Sequence, residues 1–276
     1  METSRTRRGL ILGAALLPVA ALARPLARPP ALRRPAILRR PAAPLPLVML
    51  DPGHGGKDPG AIGVSGTYEK HIAFAAAGEV RRQLLLGRRC RVETTRVRDV
   101  FVPLEGRVAE AQRRGAALFV SLHADAVGDP GVRGASVYTL ADTASDAQSE
   151  ALAQRENSAD RFGGPAFRDQ PPVIADILAS LVRQETRLGS ARLQQGVVRA
   201  FHGDVALLPN PARHAHFMVL RAADVPSVLV EMGFMSSPAD EALLRTAAHR
   251  ARVAAAVGAA VEAQLASLGR GPGIPG

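Results

Sequence analysis

Three polar residues that can bind a metal come directly after short apolar runs, where buried strands are predicted to end. They are His54, His123 and Glu231, and a fourth residue, Glu69, begins a predicted helix. Catalytic groups of open α/β sheets gather at the carboxyl ends of strands, so we expect these side chains to share one edge. Two histidines and one carboxylate, with one coordination position left to water, suit a catalytic zinc ion, and the second carboxylate can then act as a base. Spacing alone leaves structural roles open for each residue, because no short local motif joins them.

The elements that must position these residues alternate along the chain. Short apolar or β-branched runs predict strands at 47–50, 91–95, 118–122, 135–140, 217–220 and 227–230. Apolar residues at helical spacing, with helix-forming composition, predict helices at 69–86, 104–114, 238–244 and 246–268. Strands that alternate with helices predict a single α/β domain, with a mostly parallel twisted sheet flanked by helices.

A long stretch, about residues 146–203, is predicted to be helical and interrupts this alternation. Glycine and proline pairs at 163–164 and 171–172 divide it into pieces. Its second part carries an apolar stripe made of Ile174, Ile177, Leu178, Leu181 and Val182. The stripe serves either as a core face or as a docking face for a partner. The stretch lies within a domain that is predicted to span residues 45–270.

The formal charge of +10 is concentrated near the N-terminus. Residues 1–47 hold nine arginines and one acidic residue, and the remainder is close to neutral. The folded part therefore lacks the basic surface of a nucleic-acid-binding domain. The single cysteine, Cys90, excludes an intrachain disulfide and a cysteine-rich zinc site, and we expect it to be buried.

The first 44 residues are predicted to be an export signal and a spacer. Arg7-Arg8 precede a mostly apolar run of about fourteen residues. The run is too short to span a bilayer, because a spanning helix needs roughly 20 residues. Small residues near Ala23 are typical of a signal-peptidase site, so residues 1–23 are predicted to be a cleaved twin-arginine signal. Residues 24–44 are rich in proline and arginine and form a spacer. We expect a periplasmic protein with no membrane span after cleavage, and the alternative is an uncleaved N-terminal anchor.

Four motifs resemble those of the zinc N-acetylmuramoyl-L-alanine amidases, the type 3 amidase family. The resemblance covers about residues 47–268. It lies in Leu50-Asp51-Pro52-Gly53-His54-Gly55-Gly56-Lys57-Asp58-Pro59-Gly60-Ala61, in Glu69, in Ser121-Leu122-His123-Ala124-Asp125-Ala126 and in Pro226-Ser227-Val228-Leu229-Val230-Glu231-Met232-Gly233-Phe234. Thr95-Arg96, Asp99, Leu104 and Arg107 also fit the family.

The resemblance implies a function and a role for each residue. The protein is expected to hydrolyse the amide bond between N-acetylmuramic acid and L-alanine in peptidoglycan, in cell-wall remodelling and daughter-cell separation. His54, Glu69 and His123 would bind Zn²⁺, and Glu231 would be the catalytic base. Two other functions remain open: a zinc peptidase that cuts within the stem peptide, and an inactive wall-binding regulator.

The helical stretch resembles that of the division-associated amidases of Gram-negative bacteria, on residues 155–160, 175–178 and 183–186. The resemblance implies that about residues 146–203 are a helical regulatory insertion in the catalytic domain. Those enzymes carry an autoinhibitory helix whose glutamate blocks the zinc, and Glu156 matches that glutamate. The resemblance implies that a protein activator docks on the insertion and removes Glu156 from the metal. The alternative is an ordinary surface helix with Glu156 in solvent.

Overall fold

The computed structural model describes residues 44–162 and 177–268, with side chains from residue 181 onward in the second range. Six strands form one sheet in the order β2-β1-β3-β6-β4-β5. The strands are β1 (Leu47–Pro52), β2 (Arg91–Thr94), β3 (Ala116–His123), β4 (Ala135–Leu140), β5 (Leu207–Ala215) and β6 (Ser227–Glu231). The helices are α1 (Glu69–Gly87), α2 (Leu104–Arg113), α3 (Ala147–Asn157), α4 (Ile177–Phe201), α5 (Pro238–Leu244) and α6 (Ala247–Leu268), and short 3₁₀ turns occupy Ser158–Phe162 and Met218–Leu220.

The sheet is mostly parallel, as the sequence predicts. Strand β1 pairs in parallel with β2 and β3, β3 with β6, and β4 with β5, whereas β4 runs antiparallel to β6. His123 at the end of β3 lies in register with Glu231 at the end of β6. The carboxyl ends of β1, β3 and β6 therefore meet at one edge of the sheet.

Helices cover both faces of the sheet. Alternate residues of β1 point to opposite sides: Val48 and Leu50 join a core with α1, α4 and α6, and Leu47 and Met49 join a second core with α2 and α3. The α/β class with helices on both faces is confirmed.

One predicted strand is wrong. Residues 217–220 turn through a short 3₁₀ helix, and the strand beside β4 is instead β5. Strand β5 contains Pro209 and Pro211, so its sequence lacks the apolar pattern from which strands are predicted. Proline is tolerated at the edge of a sheet, where β5 lies. Phe217 and Leu220 are buried in the second core, so their apolar character reflects burial and not strand pairing.

The stretch that follows α3 is only partly peripheral. Near the end of α4, Leu193, Val197 and Phe201 are buried in the first core. Earlier in that helix, Leu181 and Val182 are exposed. The other members of the predicted stripe lie outside the described side chains. The boundaries of an insertion at about 146–203 stay a prediction.

Among the described residues, one helix, α6, is long and apolar enough to cross a membrane, but half of the relevant window is buried inside the domain. Its packing against α1 and α4 identifies it as a core helix. Cys90 is buried, as expected. Residues 1–23 of the predicted signal and nearly all of the predicted spacer lie outside the described residues.

Candidate metal centre

His54 lies on a turn whose backbone carbonyls accept hydrogen bonds from two arginines. The residue has a φ of 59°, in the left-handed region, where a non-glycine side chain is strained. Arg107 donates to the carbonyls of Pro52 (2.9 Å) and His54 (2.8 Å). Arg96 donates to the carbonyls of Pro52 (3.0 Å) and Gly53 (2.9 Å). These bonds satisfy buried backbone acceptors and hold the turn in its strained shape.

Asp51, at the end of β1, anchors one of those arginines. Its carboxylate accepts from Arg107 (2.7 Å), from the Thr95 hydroxyl (2.5 Å) and from the Ser121 hydroxyl (2.7 Å). Complete burial raises the pKa of Asp51, but the arginine and the hydroxyl donors outweigh it and hold the pKa below its usual value. The result is a charged network beneath the turn that carries His54.

The imidazole of His54 has a fixed orientation. Its Nδ1 lies 2.9 Å from Oδ2 of Asp58, four residues further along the same loop. Asp58 is itself held by the Gly60 amide, which donates to its Oδ1 at 3.1 Å. A carboxylate on one ring nitrogen leaves the other nitrogen, Nε2, to face the site, which is how metal-binding histidines are commonly oriented.

Glu69 begins α1 and points its buried carboxylate into the same space. The Ala61 amide donates to Oε2 and the Ala124 amide donates to Oε1, both at 2.8 Å. Burial raises the pKa of Glu69, but the imidazoles of His54 and His123 lower it further, so the net direction is well below the usual value. Glu69 is therefore a preformed anion that two backbone amides orient.

His123 ends β3 and packs against the backbone of the His54 turn. The two imidazole centroids are 4.9 Å apart with an interplanar angle of 75°. A Cβ at Gly53 would overlap the His123 ring, so only glycine permits this approach. The glycine before His54 is thus required by contact with the second histidine.

Four side chains converge here: His54, Glu69, His123 and Glu156 offer ligand atoms that all lie within 4.8 Å of one another. His54 Nε2 lies 3.0 Å from Glu69 Oε2 and 3.6 Å from Glu156 Oε1. His123 Nδ1 lies 3.1 Å from Glu69 Oε1 and 3.2 Å from Glu156 Oε2.

These spacings fit a zinc ion. Ligand atoms about 2.0–2.1 Å from a tetrahedral zinc stand roughly 3.3 Å from one another, close to the separations observed here. His54 Nε2 is buried, and although Glu69 Oε2 lies 3.0 Å away, no contact of this nitrogen with the described residues has hydrogen-bond geometry. A nitrogen that binds a metal would be left in this way. Nitrogen and carboxylate donors in this ratio also suit zinc better than a hard cation that prefers oxygen.

Glu156 reaches the cluster from α3, which is tied down at several points. The Asp146 side chain caps α3 by accepting from the Ser149 amide at 2.8 Å. Leu152 is buried in the second core. Asn157 donates to the His216 carbonyl at 2.7 Å and accepts from the Met218 amide at 2.8 Å.

A salt bridge adds a further anchor beside Glu156. Arg155 donates to Oδ2 of Asp125 at 2.8 and 3.0 Å. Burial, followed by the nearby charges of Glu156 and Glu69, raises the pKa of Asp125 to about 7, although Arg155 opposes the shift. Glu156 is itself 5% exposed and does not lie in solvent.

Glu231 is fully buried at the end of β6, next to His123 across the sheet. Its Oε2 accepts from the Asp125 amide at 3.0 Å, and its Oε1 has no hydrogen-bond partner among the described residues. Burial, with Glu69, Asp125 and Glu156 nearby, raises the pKa of Glu231 well above its usual value. A raised pKa makes this glutamate a stronger proton acceptor than a carboxylate in water.

A cavity of about 340 Å³ opens beside the cluster. One wall is the loop from Asp58 to Ala61, and the other is formed by Glu156 and the turn that follows it. The space next to the predicted ligands is thus large enough for part of a substrate, and α3 occupies one side of it.

The five predicted site residues come together, and other histidines do not join them. His71, His202, His214 and His216 are exposed, and His249 is buried elsewhere in the fold. Sequence reasoning missed Asp58 as the partner of His54. Arg96 and Arg107 were recognised only through the resemblance to a known family. Most of their hydrogen-bond acceptors are backbone carbonyls, which no pattern of side chains reveals.

The family described as N-acetylmuramoyl-L-alanine amidase matches residues 48–263. The N-acetylmuramoyl-L-alanine amidase AmiA of Salmonella typhimurium is 40% identical over 212 residues, which are 76% of this chain and 73% of that protein. The amidase AmiC of Neisseria meningitidis is 39% identical over 224 residues, which are 79% of this chain and 52% of that protein. The solved structure of amidase AmiC2 from Nostoc punctiforme aligns with a TM-score of 0.53 at 29% identity, covering 82% of this chain and 98% of that one.

The matched region contains the whole sheet apart from Leu47, the first residue of β1, and it contains all four residues of the cluster as well as Glu231. Fold, site and similarity agree, and the chain belongs to the N-acetylmuramoyl-L-alanine amidase family.

Proposed function

We propose that the histidine–glutamate cluster is the zinc site of this amidase, with His54, Glu69 and His123 as ligands. The observation that carries the proposal is the convergence of their ligand atoms within 4.8 Å at the sheet edge. The substrate is the amide bond that joins N-acetylmuramic acid to L-alanine in peptidoglycan, the bond for which the family is named.

The chemistry that zinc supplies when bound is polarisation of the scissile carbonyl and a lowered pKa for the attacking water. Glu231 takes the proton from that water and returns it to the leaving nitrogen. Its buried setting and raised pKa support this role, since a carboxylate in water would hold the proton too weakly to deliver it. Asp58 and the Ala61 and Ala124 amides hold His54 and Glu69 in place throughout.

We also propose that α3 keeps the enzyme inactive. Glu156 lies 3.2 Å from His123 and 3.6 Å from His54, at the position that a substrate carbonyl and water would need. A carboxylate tethered there has a high effective concentration and excludes both. A protein activator that docks on the exposed face near Leu181 and Val182 would favour the open state.

The proposed substrate puts the protein's action outside the cytoplasm, in the periplasm, during wall remodelling and cell separation. The proposed route is twin-arginine export with cleavage near Ala23. Replacement of Arg7 and Arg8 by lysine is expected to leave the uncleaved protein in the cytoplasm, measured by fractionation and N-terminal sequencing. Normal export of that variant would exclude the route.

Two measurements test the enzyme proposal. Metal analysis should find one zinc per chain, and His54→Ala and His123→Ala should each lose most of it, whereas the exposed control His202→Ala should not. Mass spectrometry of digested peptidoglycan should find intact stem peptides and glycan strands without stems. Fragments cut within the stem would identify a peptidase instead, and no cleavage at full zinc occupancy, even after removal of Glu156, would identify an inactive wall-binding protein.

A further inference from the structure

A small hairpin, residues 61–68, runs from the wall of the cavity to the metal ligand Glu69. Ile62 and Tyr68 form an antiparallel bridge, and the Gly63 amide donates to the Thr67 carbonyl at 2.8 Å. At its base, the Ala61 amide donates to the Glu69 carboxylate at 2.8 Å, and the Glu69 amide donates to the Ala61 carbonyl at 2.9 Å. The hairpin is thus attached to the reaction centre at both ends.

The hairpin exposes an unusual share of apolar surface for its size. Ile62 is 57% exposed, Val64 is 64% exposed and Tyr68 is 41% exposed. Ile62 and Tyr68 are directly opposite each other in the bridge, so their side chains share one face. Ala61, directly before Ile62, lines the cavity beside the cluster, and exposed apolar side chains that are grouped together are typical of a contact surface.

A buried carboxylate on another element holds the hairpin rigid. Glu241, in the first turn of α5, accepts from the Ser65 amide at 2.9 Å and from the Ser65 hydroxyl at 2.5 Å. Arg245 donates to the same hydroxyl at 3.0 Å. The backbone of Gly63 lies so close to Glu241 that a Cβ there would overlap the carboxylate. A buried anion devoted to one exposed hairpin indicates that the position of the hairpin matters, because ordinary surface loops are not held in this way.

We propose that this hairpin is the surface on which the stem peptide of the substrate lies, and that Glu241 is the positioning residue that fixes it. The proposal rests on the proposed function. Aliphatic side chains such as Ile62 and Val64 match the methyl and methylene groups of a peptide, whereas the sugar chain is covered with hydroxyl groups. The hairpin begins at Ala61, which lines the cavity beside the metal cluster, so a peptide leaving the scissile bond in this direction meets it at once.

The test compares two synthetic substrates, a muramoyl-L-alanine and a muramoyl-tetrapeptide, with the full chain in wild-type and Glu156→Ala backgrounds. The double variant Ile62→Ser/Val64→Ser should raise KM for the tetrapeptide substrate about tenfold. We expect kcat, zinc content and KM for the shorter substrate to be unchanged. The matched control is Leu86→Ser, which removes an equally exposed aliphatic side chain at the far end of α1 and should alter neither KM.

A second variant tests the positioning role with every apolar side chain in place. Glu241→Gln turns an amide group toward the Ser65 donors and should raise KM for the tetrapeptide substrate alone. Its control is Asp240→Asn: Asp240 is the buried neighbour of Glu241, but it accepts from the Gly134 and Phe234 amides and should leave the ratio of the two KM values unchanged.

An equal rise in KM for both substrates would mean that the hairpin touches the sugar or the first alanine, and would overturn the proposal. Unchanged KM values in Ile62→Ser/Val64→Ser would overturn it as well, and that result would leave the hairpin as a docking surface for another protein. Failure of the parent chain to cleave either substrate would instead overturn the proposed function, and the hairpin proposal with it.

Discussion

Removal of the Glu156 carboxylate is expected to raise basal amidase activity. The carboxylate makes two contacts with imidazole nitrogens, at 3.2 and 3.6 Å. Both nitrogens belong to the proposed zinc ligands, so with the metal bound the carboxylate would face the ion instead of the imidazoles. We take its contribution to closure as about one charge-assisted contact, roughly 1.5–3 kcal/mol. Since 1.4 kcal/mol is a factor of ten, Glu156→Ala should increase the open population, and with it the basal rate, about 10- to 100-fold.

The rest of α3 explains why the variant should not become fully independent of an activator. Leu152 remains in the core, Asn157 keeps both of its backbone bonds, and Arg155 keeps its salt bridge with Asp125. These remaining contacts still favour the closed state. The variant therefore does not open completely, because losing Glu156 removes only part of the free energy that favours closure. An activator should still stimulate Glu156→Ala, but by a smaller factor than it stimulates the wild type.

The assay is dye release from labelled peptidoglycan at equal zinc occupancy. The control is Glu150→Ala, an exposed glutamate of the same helix whose contact is with Gln154, and it should behave like the wild type. Equal low rates for wild type and Glu156→Ala would refute the reasoning, and high rates for both would show that α3 does not inhibit.

Three other perturbations have defined outcomes. Glu231→Gln keeps a near-isosteric side chain but no base, so it should retain zinc and fold and lose at least about 10²-fold in kcat; near-normal turnover would remove Glu231 from the mechanism. Gly53→Ala forces a methyl group against His123 and should lower zinc affinity, measured by chelator competition, while Gly78→Ala, in an open position, should not. The folded pKa of Asp51 is depressed, so its stabilisation is complete above the unfolded value of about 4 and is lost as the pH falls through the folded pKa. Asp51→Asn should flatten that acid dependence in urea unfolding and cost about 3–5 kcal/mol at neutral pH, because Arg107 remains buried and unpaired; an unchanged acid slope would contradict this.

Three of the site residues were open to prediction as candidates because they lie at the ends of predicted strands. An apolar strand followed at once by a polar residue puts that residue at the edge of a parallel sheet, and this holds for His54, His123 and Glu231 whatever the rest of the fold does. Helices such as α1 and α6 were likewise visible in the spacing of their apolar residues. Local order along the chain was enough for the α/β class and for candidate residues at one edge. The roles of these residues, and the choice of Glu156, came from the resemblance of the motifs to a known family.

Edge strand β5 and the core portion of α4 were beyond such reasoning. Apolar residues mark burial, not hydrogen-bond pairing, so buried Phe217 resembled a strand residue while proline-containing β5 did not. In the same way, a long helical pattern does not say where a helix leaves the surface and enters the core, as α4 does near Leu193.

The amino-acid sequence by itself determined which candidate residues lie at the edge of the sheet, because local patterns indicate where strands end and helices begin. Only the tertiary structure decided how they are held. Asp58 contacts Nδ1 of His54, and Arg107 donates to the His54 carbonyl. Glu241 accepts from the amide of Ser65, which is 176 residues away in the chain. These are contacts between a side chain and a distant backbone group or loop. No periodicity encodes them, since their partners become neighbours only when the sheet and helices pack.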